Sequence, residues 1–293
     1  MKISKLINIL GIALILIMTS CSKNEDALIP AYIRIDSISV SPDILQGTAS
    51  HNITDVWVYS KSGLIGAFEL PAQIPILEEG NTTLDIYAGI KLNGISAARV
   101  NYPFYTPLSV KVDLSRDSVI NLSGLEVAYS DQCKFAWIED FENENFTFRT
   151  TANGKVPLQR ITASDQIFNM KGEPNKSSVK AVLLYDSLYL EYASYETFKL
   201  PADGIRPTFL ELNYRNNAEF VVGLFVNGTV IEQRPVLVVN PSEKWNKIYV
   251  NLTNAVNENN DANNFRIYIK MTKPADMDTA FLLLDNLKLI YTK

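Results

Sequence analysis

Apolar residues fall along this chain in two patterns. The first is a single run: after Lys2 and Lys5, residues 6–18 are almost wholly apolar. A basic start, an apolar segment of roughly 7 to 15 residues and a small-residue end (Thr19, Ser20) make a secretory signal. The run is shorter than the roughly 20 residues that a spanning helix requires. The second pattern is alternation with a period of two, which recurs from Tyr32 to the C-terminus and predicts β-strands. No stretch after the signal has a convincing amphipathic-helix period.

The strands divide into two groups. In the first, Ile33, Ile35 and Val40 lie on one extended run, and residues 53–59 form a second. Lys61, Ser62 and Gly63 turn the chain into a returning strand at 64–70, a hairpin with glycine where positive φ is wanted. Pro71 and Pro75 bracket its exit, and strands follow at 83–90 and 108–114. Many short strands with regular turns predict a small β-sandwich over residues 31–129. Within it, the ring-rich loop at 101–105 is expected to fold over the end of the sandwich.

Residues 130–133 read as a boundary. Strands are predicted at 135–142, 178–184, 188–195, 208–214, 219–226, 229–239, 247–252, 265–271 and 279–291, with Asn227-Gly228 as the sharpest hairpin signal. That number of antiparallel strands over residues 130–293 predicts a two-sheet jelly roll, so the fold class is all-β.

Alternation also sorts the faces of this second unit. Leu190, Leu210, Leu212, Ile248, Val250, Ile267 and Ile269 fall on one parity. Tyr189, Glu191, Tyr195, Glu211, Asn213, Tyr249, Tyr268 and Lys270 fall on the other. Tyrosines mixed with carboxylates and amides suit a saccharide, whose C–H face stacks on a ring while its hydroxyls need polar partners. The plainer alternative is a solvated face where tyrosine serves strand propensity. Tyr189, Glu191, Tyr195, Glu211 and Asn213 are the candidate ligand-binding residues. Asp285 shares parity with Phe281, Leu283, Leu287 and Leu289 and is expected to point inward, where an unpartnered carboxylate is costly.

Composition narrows the function classes. The net charge is −5, and loss of Lys2 and Lys5 with the signal makes the remainder more acidic, so nucleic acid is not an expected partner. Hydrophobic residues make up 47% of the chain, enough for packed cores. The two cysteines are Cys21 and Cys133 and the one histidine is His51. These do not furnish a zinc site or a Ser-His-Asp or Cys-His arrangement, and among 32 acidic residues no spacing singles out a glycosidase pair.

Met18-Thr19-Ser20-Cys21 resembles the lipobox of bacterial lipoproteins. The resemblance implies cleavage after residue 20 and a lipidated Cys21, with 21–30 as a tether and the protein anchored to the outer membrane. Lys23, Glu25 and Asp26 resemble the acidic export signal of Bacteroidetes surface lipoproteins, which implies a cell-exterior location; a plain solvated linker is the alternative. Residues 56–77 resemble the PEGA-like or Ig-like modules of such lipoproteins. The opening 135–142, the late 244–252 and the closing 284–290 resemble galactose-binding-like jelly rolls, a fold that includes many carbohydrate-binding modules. That resemblance implies glycan binding and a structural calcium pairing Asp285 with Asp140 or Glu142. A capping hydrogen bond is the simpler account of Asp285. The expected protein is thus a non-catalytic surface lipoprotein that binds glycan. An interaction subunit of an outer-membrane protein assembly is the rival, and a glycoside hydrolase a distant third.

Overall fold

Two packed pairs of β-sheets follow one another along the chain. The computed structural model describes residues 29–170 and 175–293. The signal at 1–20 and the lipidation residue Cys21 lie outside the described residues, as does most of the tether.

In the first sandwich β1 (Ala31–Ile35) and β2 (Ile38–Val40) are one run broken at Asp36 and Ser37. The run continues through β3 (Asp55–Ser60), β4 (Gly63–Glu69), β5 (Ala72–Ile76), β6 (Gly80–Lys91), β7 (Arg99–Asn101), β8 (Leu108–Leu114), β9 (Val119–Leu122) and β10 (Leu125–Val127). One layer is β5-β1-β9, with β9 parallel to β1 and β10 parallel to β2. The other is β4-β3-β6, with β7 and β8 both on β6. Ile33, Ile35 and Ile74 of the first layer and Val56, Val58, Leu84 and Ile86 of the second are fully buried between them. Pro75 sits in β5, an edge strand, where a missing N–H leaves no ladder bond unmade.

The second unit holds β11 (Cys133–Glu139), β12 (Phe148–Thr150), β13 (Gln159–Ile161), β14 (Ser178–Leu184), β15 (Tyr189–Ser194), β16 (Thr208–Asn216), β17 (Phe220–Asn227), β18 (Ile231–Val239), β19 (Ser242–Asn251), β20 (Asn264–Thr272) and β21 (Thr279–Thr292). A single helical turn, α1 (Thr253–Asn257), follows β19 and buries Val256. It is too short to leave a periodic signal. One sheet runs β13-β14-β21-β16-β19, with β11 also on β21. The other runs β12-β15-β20-β17-β18. This is a jelly-roll β-sandwich, and the described residues are all-β apart from α1.

Alternation assigns the core side of β15, β16, β19 and β20 correctly: Leu190, Leu210, Leu212, Ile248, Val250, Ile267 and Ile269 all enter the core. It fails on β21. There Glu211 pairs with Lys288 but Asn213 with Asp285, so two steps along β16 match three along β21. The extra residue is a bulge at Asp285 and Asn286, and Asn286 takes a φ of 50°. A bulge exchanges the two faces of a strand. Leu282 and Leu284 point into the core before it, Leu287 and Leu289 after it. Asp285 therefore lies on the outward parity with Leu283, not inward with Leu287 and Leu289 as expected.

The two sandwiches touch along a broad face. Tyr102, Phe104, Tyr105 and Tyr129 of the first share one apolar cluster with Phe209, Tyr249 and Ile290 of the second. The ring-rich loop at 101–105 thus packs on the neighbouring domain. A bridge between Leu92 and Tyr249 also crosses the boundary.

Candidate functional site

The five candidate ligand-binding residues separate onto two sheets. Tyr189 and Glu191 lie on β15 and Tyr195 directly follows it, whereas Glu211 and Asn213 lie on β16 in the opposite sheet. The outward parity is right in both cases, but the two outward faces have different surroundings.

The face of β16 is covered by the first sandwich. Glu211 is fully buried, and its carboxylate accepts from Tyr102 Oη at 2.7 Å and Tyr129 Oη at 3.0 Å and pairs with Lys247 Nζ at 2.6 Å. Burial opposes its charge, but Lys247 and Lys288 together with these bonds hold its pKa below the ordinary value. Lys247 also donates to the Ser50 carbonyl and Lys288 to that of Thr48, both at 2.6 Å. Asn213 accepts from Ser50 Oγ at 2.7 Å. Glu211 and Asn213 therefore join the two domains and present nothing to a ligand.

Asp285 is buried too, beneath the segment that precedes β14. It accepts from Ser178 Oγ at 2.5 Å, Asn175 Nδ2 at 2.9 Å and its neighbour's N–H at 2.8 Å. Burial pushes its carboxyl up to about 7 against those bonds. Glu142 accepts from the N–H groups of Lys176 and Ser177, and Asp140 from that of Glu142. Among the described residues no three His, Cys, Asp or Glu side chains gather where they could hold a metal ion. The hydrogen-bonded reading of Asp285 matches the geometry. His51 contacts the Ala49 carbonyl through Nδ1 at 2.9 Å.

The outward face of β15 meets no other sheet. Glu191 is buried within it by its own neighbours: Tyr189 Oη donates at 2.5 Å, Gln233 Nε2 at 2.6 Å and Thr151 Oγ1 at 2.6 Å. Desolvation raises its pKa less than these bonds lower it, so the carboxylate stays charged. Gln233 in turn accepts from Lys270 Nζ at 3.2 Å. The chain Tyr189–Glu191–Gln233–Lys270 is held in one arrangement before any ligand arrives. Tyr268 is buried against Gly223 of β17, where a Cβ would stand 2.5 Å from both the Arg234 carbonyl and Tyr268 Oη. At the border of the face Tyr195 is 65% exposed, with the Arg149 guanidinium 4.4 Å from its ring centre.

Beside Lys270 the same face opens into a groove of about 650 Å³, lined by Val221, Val238, Pro274 and Met277 with Glu219, Lys270, Thr272 and Asp276. Tyr189 pairs with Thr272 in the ladder, which puts it at the groove's border. Apolar ground with a few fixed polar groups is the usual make-up of a small-molecule site. Sequence reasoning reached Tyr189, Glu191 and Tyr195 through parity. It missed Gln233, Val221 and Val238, which the pairing of β17 with β18 brings in, and Thr151, which sits in a loop without periodic signal.

No protein-family model and no curated protein matches this sequence. Among solved structures, a study of carbohydrate-binding modules of the β-sandwich superfamily is 12% identical over 80% of this chain and 84% of its own, with a TM-score of 0.39. A carbohydrate-binding module in complex with β-1,4-galactotriose is 12% identical over 53% of this chain and 95% of its own, with a TM-score of 0.36. The K3 cleaved adhesin domain of Lys-gingipain from Porphyromonas gingivalis W83 is 12% identical over 54% and 98%, also with a TM-score of 0.36. Likeness at this level says nothing of what the chain binds.

Proposed function

We propose that this is a non-catalytic, lipid-anchored surface protein that binds a glycan on the outward face of its β12-β15-β20-β17-β18 sheet. One observation carries the reading: the pre-arranged Tyr189–Glu191–Gln233–Lys270 chain stands beside a groove of mixed apolar and polar lining. A saccharide needs a surface for its C–H face and polar groups already in place for its hydroxyls, since ordering them on binding would cost affinity. Glu191 serves by fixing Tyr189 and Gln233, while Tyr189, Lys270 and Thr272 border the ligand.

Affinity electrophoresis on a panel of galactan, galactomannan, xylan, hydroxyethylcellulose, pullulan and dextran tests it. At least one polysaccharide should retard the protein, and Tyr189→Ala with Lys270→Ala should weaken that binding about tenfold or more, or about 1.4 kcal/mol. Unchanged retardation in that double variant would refute this face as the site. Stoichiometric recovery of one protein partner with no retardation on any polysaccharide would instead favour the interaction subunit. Anchoring has its own test. A radiolabelled fatty acid should enter the wild type and not Cys21→Ala, and the variant should leave the membrane fraction; a labelled Cys21→Ala protein sinks the lipidation.

A further inference from the structure

The outward face of the other sandwich carries a strip of rings that the function above does not use. On β3 the outward residues are Asp55, Trp57 and Tyr59, and on β6 they are Thr83, Asp85, Tyr87 and Gly89. The register sets Trp57 against Tyr87 and Asp55 against Gly89. Tyr59 meets Tyr87 edge to face at 5.2 Å between ring centres. All three rings are half-buried, so each keeps part of its surface in solvent.

Gly89 sets the attitude of the indole. A Cβ there would lie 3.1 Å from Trp57 Nε1 and 2.8 Å from Asp55 Cβ. The indole thus leans over the glycine and lies along the sheet instead of standing off it.

Polar groups fringe the strip. Asp55 is paired with Arg99, which also reaches Glu69 at 3.2 Å. Ser109 Oγ donates to Asp85 at 2.5 Å. Beside the glycine, Trp57 Nε1 and Asn101 Oδ1 have no hydrogen-bond partner among the described residues, and Asn101 stands opposite Gly89 in the ladder. Both atoms are buried, so what the strip offers a ligand is its ring faces and the polar groups along its fringe.

We propose that this strip, Trp57, Tyr87 and Tyr59, is a second glycan-binding surface, independent of the groove on the jelly roll. The chemistry of the face selects the occupant. Along the strip Asp55, Thr83, Asp85 and Ser109 alternate with the rings, and the exposed branched aliphatic of this face, Leu64 of β4, stands at its end opposite Tyr59. Planar rings among carboxylates, hydroxyls and an amide fit a pyranose chain, whose C–H faces stack and whose hydroxyls donate and accept together. Two separate surfaces on one chain would raise its hold on a polymer through effective concentration.

The experiment uses the full chain and the polysaccharide panel named above, in a two-by-two design. One pair of changes is Trp57→Ala with Tyr87→Ala; the other is Tyr189→Ala with Lys270→Ala. With the second pair in place, residual retardation should persist, and adding the first pair should abolish it. Trp57→Phe, which keeps a ring, should restore part of the binding, which a purely structural role would not demand. Matching circular dichroism spectra establish that each variant folds. Retardation that is lost with Tyr189→Ala and Lys270→Ala and untouched by Trp57→Ala with Tyr87→Ala overturns this proposal and leaves the jelly-roll reading standing. The reverse outcome overturns the jelly-roll site and leaves this one. Failure of every polysaccharide to retard the wild type overturns both.

Discussion

Three carboxylates among the described residues are wholly buried, and each is kept by different means. Glu191 is surrounded by neutral donors, Glu211 by a lysine and two tyrosines, and Asp285 by Ser178, Asn175 and one backbone N–H. The first two stay charged because their partners outweigh desolvation. Among the described residues no cation offsets the burial of Asp285, which raises its carboxyl from 3.8 to about 7. The sign of the linkage follows. A carboxyl whose folded pKa is raised binds its proton more tightly in the folded state, so its contribution to stability is fully present below about pH 4 and is lost as pH rises through about 7. Asp285→Asn removes the titration while keeping an acceptor for the Asn286 N–H. Urea unfolding at stepped pH should show the variant gaining on the wild type between about pH 4 and pH 7, with a flat difference on either side. A difference independent of pH across that window rules the titration out.

Elements show where the sequence could be read and where it could not. Strands of six or more residues with one buried face announce themselves by alternation, and β15, β16, β19 and β20 carry the inward residues that parity assigns them. Three-residue strands such as β7, β10, β12 and β13 are too short for any period to stand out. In β21 the bulge at Asp285 and Asn286 adds one residue, and nothing in the run 279–291 marks where the faces exchange. The candidate site suffered from a different limit. Parity finds which residues point outward from a strand, but pairing decides which outward faces are continuous. Tyr189, Glu191 and Glu211 read alike in sequence, yet β15 and β16 belong to opposite sheets. Trp57 and Tyr87 are 30 residues apart in the chain, and only the β3–β6 register makes them neighbours.

At the scale of the molecule, the polar parity of β16 and β19 proves to be an interface. Glu211, Lys247 and Lys288 would be an ordinary solvated face on an isolated jelly roll; under the first sandwich they form a buried ionic cluster ringed by Tyr102, Tyr129 and Tyr249. Such a pair adds little net stability against an apolar substitute, but breaking it leaves a charge without compensation, at a cost of about 3–5 kcal/mol. Glu211→Gln strands Lys247 in that position. Because rings of both domains share one apolar cluster, the loss should be felt by both. Denaturant unfolding followed by Trp57 fluorescence in one domain and by Trp137 and Trp245 in the other, using single-tryptophan variants, should give coincident transitions in the wild type. In Glu211→Gln both should move down together by about 3–5 kcal/mol. The double replacement Glu211→Leu with Lys247→Met should recover part of the loss, because it removes Lys247 along with its partner while Lys288 stays buried. Transitions that separate already in the wild type, or a Glu211→Gln protein as stable as its parent, would mean that the two sandwiches are merely adjacent. Coincidence and recovery together would make the interface the element that holds the two proposed glycan faces at a fixed spacing, which their joint action on one polymer requires.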